Sequence, residues 1–86
     1  MIIKVETVVN GDAMEHFVMI EHATDTQTYR ENYSEILDEW YTEIPECYWH
    51  HDMITKFIEI LEKYSIYAED VADMVEDTIV GFRSHE

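Results

Sequence analysis

Basic residues are scarce in this sequence of 86 residues. Five Lys and Arg stand against 20 Asp and Glu, so the formal net charge at pH 7 is −15. A protein that binds nucleic acid or an anionic membrane directly needs clustered basic side chains. Both ligands are therefore disfavoured, and a partner selected by electrostatics would itself be basic.

Glycine, proline and cysteine are also scarce, with two, one and one residues. The chain has no glycine-rich phosphate loop, no serine-centred elbow and no Cys-x-x-Cys motif, so we expect neither an enzyme nor a cofactor. Cys47 alone cannot form an internal disulfide, which fits a reducing compartment. No apolar run approaches the roughly 20 residues of a membrane span, and the segment around Lys4 and Glu6 is unlike a signal peptide. We expect a cytoplasmic protein.

The chain has enough apolar residues to fold in spite of its charge. Hydrophobic residues make up 47% of it, including two Trp, six Tyr and three Phe. A chain of this length buries about 60–65% of its unfolded surface, enough for one modest core. We predict a single domain over residues 1–86.

The first 21 residues have the pattern of a β-hairpin. Two runs rich in β-branched and apolar residues flank Asn10 and Gly11, and both of these residues tolerate positive φ. We predict a hairpin over residues 2–21. The alternation of Ile3, Val5, Thr7 and Val9 indicates the strand face that packs on the helices.

Three acidic amphipathic helices are predicted to follow, over residues 27–43, 46–64 and 69–80. Thr24 and Gln27 have the spacing of a capping box before the first helix. Pro45 lacks an N–H and disfavours helix at Ile44, so we expect one sharp corner between the first and second helices. The predicted fold class is α+β, with a small antiparallel sheet packed against three helices.

Two rows of carboxylates carry the strongest functional signal. On the third predicted helix, five carboxylates would span about 12 Å, or roughly 3 Å per charge. B-DNA carries a phosphate about every 3.4 Å along each strand. A similar charge density predicts that these rows can stand in for DNA on a basic protein surface, with ordinary solvated faces as the alternative. The ten residues are Glu31, Glu35, Asp38, Glu39, Glu43, Glu69, Asp70, Asp73, Glu76 and Asp77.

A histidine cluster invites comparison with metal sites. Cys47 and His51, four residues apart, are the only pair here that could share a helix face, so we expect no metal. His50, His51 and Trp49 are instead expected to form a helix-entry surface whose polar tips reach water. Tyr48 and Trp49 fall off the apolar stripes and are candidate anchors for a partner.

Residues 34–66 combine an acidic helix, a corner at Ile44 and Pro45, Tyr48, and then Asp52 before an apolar helix. In this order they resemble the central part of the phage antirestriction DNA mimics of the Ocr type. The resemblance implies a non-enzymatic protein, encoded by a phage or mobile element, whose acidic surface occupies the DNA groove of an enzyme. This chain departs from that pattern by beginning with a predicted hairpin.

The hypothesis from charge and resemblance is a DNA-mimic inhibitor. It would occupy the DNA-binding cleft of a host restriction, nuclease, CRISPR or topology enzyme in the host cytoplasm, as a monomer or a homodimer. The alternative is a protein-interaction adaptor that binds through Tyr48, Trp49 and Tyr67. The region from Ile54 to Ile79 resembles small phage transcription accessory proteins in its helical pattern, which implies an RNA-polymerase accessory factor in that case.

Overall fold

A three-stranded antiparallel sheet and three helices make up residues 1–71, the part of the chain that this computed structural model describes. The class is α+β, as predicted. The strands are β1 (Ile2–Val9), β2 (Asp12–Met19) and β3 (Glu69–Asp70), in the sheet order β1-β2-β3. The helices are α1 (Ala23–Glu31), α2 (Tyr33–Glu43) and α3 (His50–Lys63), with a 3₁₀ turn over Ile44–Glu46 before α3.

The hairpin prediction is confirmed, with its turn at Asn10 and Gly11. Val9 pairs with Asp12, so Asn10 and Gly11 form a two-residue loop. Their φ angles are 52° and 83°, as a type I′ turn requires. This turn fixes which residues of β1 face the helices.

The core lies between the inner face of the hairpin and α2 and α3. Ile3 and Val5 on β1 are buried, as their alternation predicts. Phe57 of α3 packs edge-on against Trp40 of α2, with 5.2 Å between ring centroids. The Trp40 indole N–H donates to the Met53 carbonyl oxygen at 2.8 Å, so the only polar atom of this buried side chain is paired.

The helix predicted over residues 27–43 is two helices. α1 begins at Ala23, and its N-terminus has no side-chain cap, so the capping-box prediction for Thr24 is wrong. The break falls at Asn32, whose side-chain amide and backbone N–H both donate to the Thr28 carbonyl oxygen, at 2.9 and 3.1 Å. An Asn side chain that competes for a backbone acceptor interrupts a helix in this way.

The corner between α2 and α3 is longer than the single bend predicted at Pro45. The chain makes the 3₁₀ turn and then runs extended at Cys47 and Trp49, so α3 begins at His50 rather than at residue 46. The extended residues 47–49 place Tyr48 and Trp49 on the surface. This segment is where the predicted aromatic anchors lie.

The prediction of a third helix over residues 69–80 is wrong at its start and otherwise lies outside the described residues. After α3, Ser65 takes a positive φ of 63°, and the Ser65 and Ile66 N–H groups donate to the Glu62 and Leu61 carbonyls. This Schellman-type end turns the chain back toward the sheet. Glu69 and Asp70 then pair with Met19 and Val18 as β3, because β2 offers an unpaired edge there. None of the helices described is both long and apolar enough to cross a membrane.

Candidate functional site

Carboxylates from α2, the 3₁₀ turn and α3 form one acidic surface, called here the α2–α3 acidic surface. The two helices pack side by side, and lysines on α3 reach carboxylates on α2. The surface holds eight carboxylates and two lysines, Lys56 and Lys63. The carboxylates are Glu35, Asp38, Glu39, Glu43, Glu46, Asp52, Glu59 and Glu62.

Glu39 joins the two helices that carry this surface. Its carboxylate accepts from the Lys63 ammonium at 2.7 Å and from the Tyr64 hydroxyl at 2.6 Å. The Lys63 and Tyr64 hydrogen bonds lower the pKa of Glu39, and the same contact raises the pKa of Tyr64 to about 12. Glu39 therefore serves the packing of α2 on α3 as well as the charge of the surface.

Lys56 makes a second link one turn further along α2, at Glu43, the last residue of the helix. Its ammonium lies 3.7 Å from a Glu43 oxygen and 3.6 Å from a Glu59 oxygen. Within residues 1–71, the side chains of Glu35 and Asp38 have no ion-pair or hydrogen-bond partner. The same holds within residues 1–71 for Glu46, Asp52 and Glu62, so five carboxylates of the surface are available to an incoming cation, and Glu35 and Asp38 are the two of them that lie on α2.

Replacing Glu39 with Gln should bring the ionisation of Tyr64 back toward the usual value near 10. The raised pKa means that the folded state favours the neutral phenol, so the Tyr64 contribution to stability is present below pH 10 and is lost as the pH rises toward 12. Resolved Tyr ring-carbon shifts followed by NMR would show Tyr64 titrating one to two pH units earlier. Glu62→Gln, which removes the same charge from α3, should leave Tyr64 unchanged, and an equal shift in both variants would contradict the assigned contact.

Of the other predicted carboxylates, the three that the structure describes do not join this surface. Glu31 belongs to α1, where it accepts from the Gln27 amide at 3.1 Å. Glu69 and Asp70 lie on the edge strand β3. Asp73, Glu76 and Asp77 fall outside the described residues, so the argument from phosphate-like spacing rests on α2. There Glu35 and Glu43 are about 12 Å apart along the axis, with Asp38 and Glu39 between them.

Four carboxylates of the surface were missed by sequence reasoning. Asp52, Glu59 and Glu62 lie on the exposed side of α3, and Glu46 ends the 3₁₀ turn. Their spacing of seven and three residues along α3 was a usable signal, because it places them opposite the apolar face. That helix was interpreted only through its buried side.

Tyr48 and Trp49 are exposed, as predicted, with 87% and 60% of their surfaces accessible. The Trp49 ring also contacts the His50 ring edge-on, with 5.6 Å between the ring centroids, and this contact orients the Trp49 ring beside α3. Tyr67 lies elsewhere, where its N–H donates to Asp25 and its hydroxyl to Glu69. Tyr67 is close to Glu69, which pairs with Met19 at the end of β2. Trp49 precedes His50, which contacts Asp12 at the start of β2. Tyr67 and Trp49 therefore lie near opposite ends of β2, and the predicted three-residue patch is not formed.

Cys47 and His51 do not share a helix face, because Cys47 precedes α3 in the extended segment. The Cys47 thiol lies 3.7 Å from the Glu43 carbonyl oxygen, and burial, followed by the nearby Asp52, raises the pKa of the thiol. Across residues 1–71, no group of three or more His, Cys, Asp or Glu side chains is arranged to hold a metal ion.

A buried polar network under the hairpin was also missed. The Thr7 hydroxyl lies 2.6 Å from His50 Nδ1 and 3.0 Å from His16 Nε2. His50 Nε2 lies 3.3 Å from an Asp12 carboxylate oxygen. Only 2% of Thr7 and of His50 is exposed, so the prediction that His50 reaches water is wrong. The available signal was Thr7 itself, a polar residue on the inward-facing side of β1 that needs a partner.

When both imidazoles are neutral, only one assignment of hydrogen-bond donors and acceptors fits the network. The Asp12 carboxylate accepts from His50 Nε2–H, so His50 Nδ1 must accept from the Thr7 hydroxyl, whose oxygen then accepts from His16 Nε2–H. Burial lowers the pKa of His16; nearby Asp70 opposes this, while His50 and His51 add to it. The network links β1, β2 and α3 and leaves its hydroxyl inaccessible to a substrate.

Acidification should weaken the fold through His16. Its lowered pKa means that the unfolded chain binds a proton first, so stability is complete above about pH 6.5 and falls as the pH drops below that value. Urea denaturation at pH 7.5 and 5.5 measures the loss. The difference in free energy of unfolding between the two pH values should shrink in His16→Gln. It should persist in His22→Gln, which alters an exposed histidine. An unchanged difference in His16→Gln would refute the role of His16.

Comparisons of this chain with protein-family models, curated proteins and solved structures give no significant match.

Proposed function

We propose that this protein is a non-enzymatic DNA mimic that inhibits a basic, DNA-binding protein by occupying its DNA-holding surface. The observation that supports it is the α2–α3 acidic surface, where eight carboxylates outnumber two lysines in a chain of net charge −15. A charge of magnitude about 2–8 suffices for the solubility of a small domain. The excess opposes folding through self-repulsion, which fits a role in binding.

The arrangement of the surface supports this use. Lys56 and Lys63 tie Glu43, Glu59 and Glu39 in place across two packed helices. The charge array is therefore held by the fold before a partner arrives, which reduces the entropy lost on binding. Glu35 and Asp38 lie along the same helix and can pair with Arg or Lys side chains of a surface shaped for phosphates.

Neutralising these two carboxylates tests the proposal. The protein serves as bait in a lysate of bacterial cells, and the captured protein is then purified and its affinity measured at several salt concentrations with and without duplex DNA. Glu35→Gln with Asp38→Asn should weaken binding about tenfold or more and reduce its salt dependence, because two desolvated charge pairs are lost. DNA should compete with the bait.

The matched control is Glu15→Gln with Glu21→Gln, which changes the net charge equally on the hairpin and the segment after it. This pair should change the affinity less than threefold. Equal losses in both pairs would mean that only the overall charge matters, and a captured protein indifferent to salt and DNA would reject mimicry.

The adaptor alternative is favoured by one observation, the exposure of Tyr48 and Trp49 in the extended segment before α3. Adjacent exposed aromatic residues are common anchors in protein interfaces. A partner that Trp49→Ala releases, and that Glu35→Gln with Asp38→Asn retains, would establish this mode instead.

A further inference from the structure

A cleft of about 300 Å³ runs along β1 on the side away from β2. One wall is four consecutive residues of β1, at positions 3–6, and the other comes from α1, α2 and α3, including Tyr29, Tyr33, Leu37, Tyr41 and Phe57. Successive strand residues point to opposite faces of a sheet. A cleft lined by all four therefore includes the backbone edge of the strand, and Phe57 marks where it meets the core.

The edge of β1 along this cleft has backbone groups available for pairing. The two-residue turn makes Val9 with Asp12 a hydrogen-bonded pair, and the alternation along the ladder does the same for Thr7 with Met14 and Val5 with His16. The N–H and C=O groups of Lys4 and Glu6 consequently point away from β2. Within residues 1–71, no strand pairs with this side of β1, so it can accept an extended peptide as an added strand.

Tyr29 provides an independent indication of a ligand. It lines the cleft with only 4% of its surface exposed, and its hydroxyl has no hydrogen-bond partner in the described part of the chain. Burial raises the pKa of Tyr29, with further contributions from Tyr33 and Tyr41. A buried hydroxyl without a partner is uncommon, because its desolvation is not offset. A backbone group of a peptide in the cleft would supply that partner.

Charge selects a basic peptide. Glu6 lies directly opposite Glu15 in the ladder, and Glu15 is already paired with Lys4 at 3.3 Å. The Glu6 carboxylate has no ion-pair partner among residues 1–71 and faces a like charge. A cationic side chain next to Glu6 on an added strand relieves that repulsion.

We propose that this cleft, the β1 groove, binds an extended basic segment of a partner protein as a strand beside β1. Apolar side chains of the segment lie over Leu37, Tyr33 and Tyr41, and the alternate side chains place an Arg or Lys beside Glu6. The β1 groove is a separate surface from the α2–α3 acidic surface, and its occupation does not depend on DNA mimicry.

The test uses the whole protein, labelled for NMR, and a blocked octapeptide in which Val alternates with Arg and Thr. We expect shifts concentrated in β1 and in the Tyr29, Tyr33 and Tyr41 rings, with slower hydrogen exchange of the Lys4 and Glu6 amides. The same peptide with Glu in place of Arg should bind about tenfold more weakly. Shifts confined to the α2–α3 acidic surface, or equal binding of the two peptides, would overturn the proposal.

Two variants separate the groove from general stability. Tyr29→Phe removes the unpartnered hydroxyl, so its melting temperature should be unchanged or higher while peptide affinity falls about threefold to tenfold. Glu6→Gln should reduce the preference for the Arg peptide over the Glu peptide, and Tyr48→Phe should change nothing. Full peptide affinity in Tyr29→Phe and Glu6→Gln would overturn the proposal. So would a protein that has the mass of a dimer without peptide and shows the same β1 chemical-shift changes, because a second copy would then occupy the edge.

Discussion

Phe57→Ala should lower the free energy of unfolding by about 3–5 kcal/mol, because it removes a large side chain from the centre of the core and leaves a cavity. Phe57 is 1% exposed and packs edge-on against Trp40. A domain of this size has a total stability of roughly 5–10 kcal/mol, so this loss would remove a large share of it. Urea denaturation followed by circular dichroism measures the loss.

Two comparisons show whether the loss arises from the core. Phe57→Leu keeps most of the volume and should cost less than about 1.5–2 kcal/mol. Tyr48→Ala removes an aromatic ring from an exposed position and should stay within about 0.5 kcal/mol of the parent protein. If Phe57→Ala lowered the free energy of unfolding by less than about 1.5 kcal/mol, α3 would not pack as described.

Thr7→Val should destabilise the protein by about 2–3 kcal/mol although it increases apolar content. The substitution keeps the branched shape at Cβ but removes the hydroxyl that pairs with His50 Nδ1 and His16 Nε2. Both nitrogens then lie buried without their partner. Because the network joins the hairpin to α3, the loss should be seen as a lower denaturation midpoint for the whole domain rather than local fraying.

Thr7→Ser is the informative companion because it retains the hydroxyl and loses only a methyl group. It should cost about 1 kcal/mol, and Thr55→Val on the exposed side of α3 should cost less than about 0.5 kcal/mol. NMR titration of the histidines would add a direct readout, since His16 loses its hydrogen-bond acceptor in Thr7→Val alone. Equal stability of Thr7→Val and the parent protein would show that the three side chains do not form the network.

In the α2–α3 acidic surface, residues that stabilise the fold also belong to the proposed binding surface. Glu39 is tied to Lys63 and Tyr64, and Glu43 to Lys56, so two of the five carboxylates predicted for the first helix help to hold α2 against α3. Removing them would alter the fold as well as the charge. Glu35 and Asp38 have no such role within residues 1–71, which makes them the cleaner residues for testing a partner.

The elements that the sequence predicted well are those with short-range causes. Asn10 and Gly11 favour a type I′ turn wherever they lie between two strand-like runs, and the turn then fixes the register of the hairpin. The apolar spacing in α3 has a physical meaning that needs no knowledge of the partner surface. Exposure of Tyr48 and Trp49 followed from their position off the apolar stripes.

Two of the errors came from interactions between distant residues, and a third came from a local competition for one backbone acceptor. Glu69 and Asp70 had a helix-like acidic context, yet the unpaired edge of β2 draws them into a strand. The break at Asn32 depends on a competition for the Thr28 carbonyl oxygen that residue type alone does not decide. His50 was expected to reach water, but it lies 43 residues from Thr7 in the chain and 2.6 Å from it in the fold.

The sequence by itself determined the net charge of −15, the hairpin, the central amphipathic helix and the α+β class, because composition, turn chemistry and periodicity act locally. The tertiary structure decided which carboxylates share a surface, which are held by Lys56 and Lys63, and which polar groups are buried together. It also created the β1 groove, since an edge strand and a helix wall become neighbours only after the chain has folded. Binding surfaces depend on such long-range neighbours, and their positions therefore became visible only in the fold.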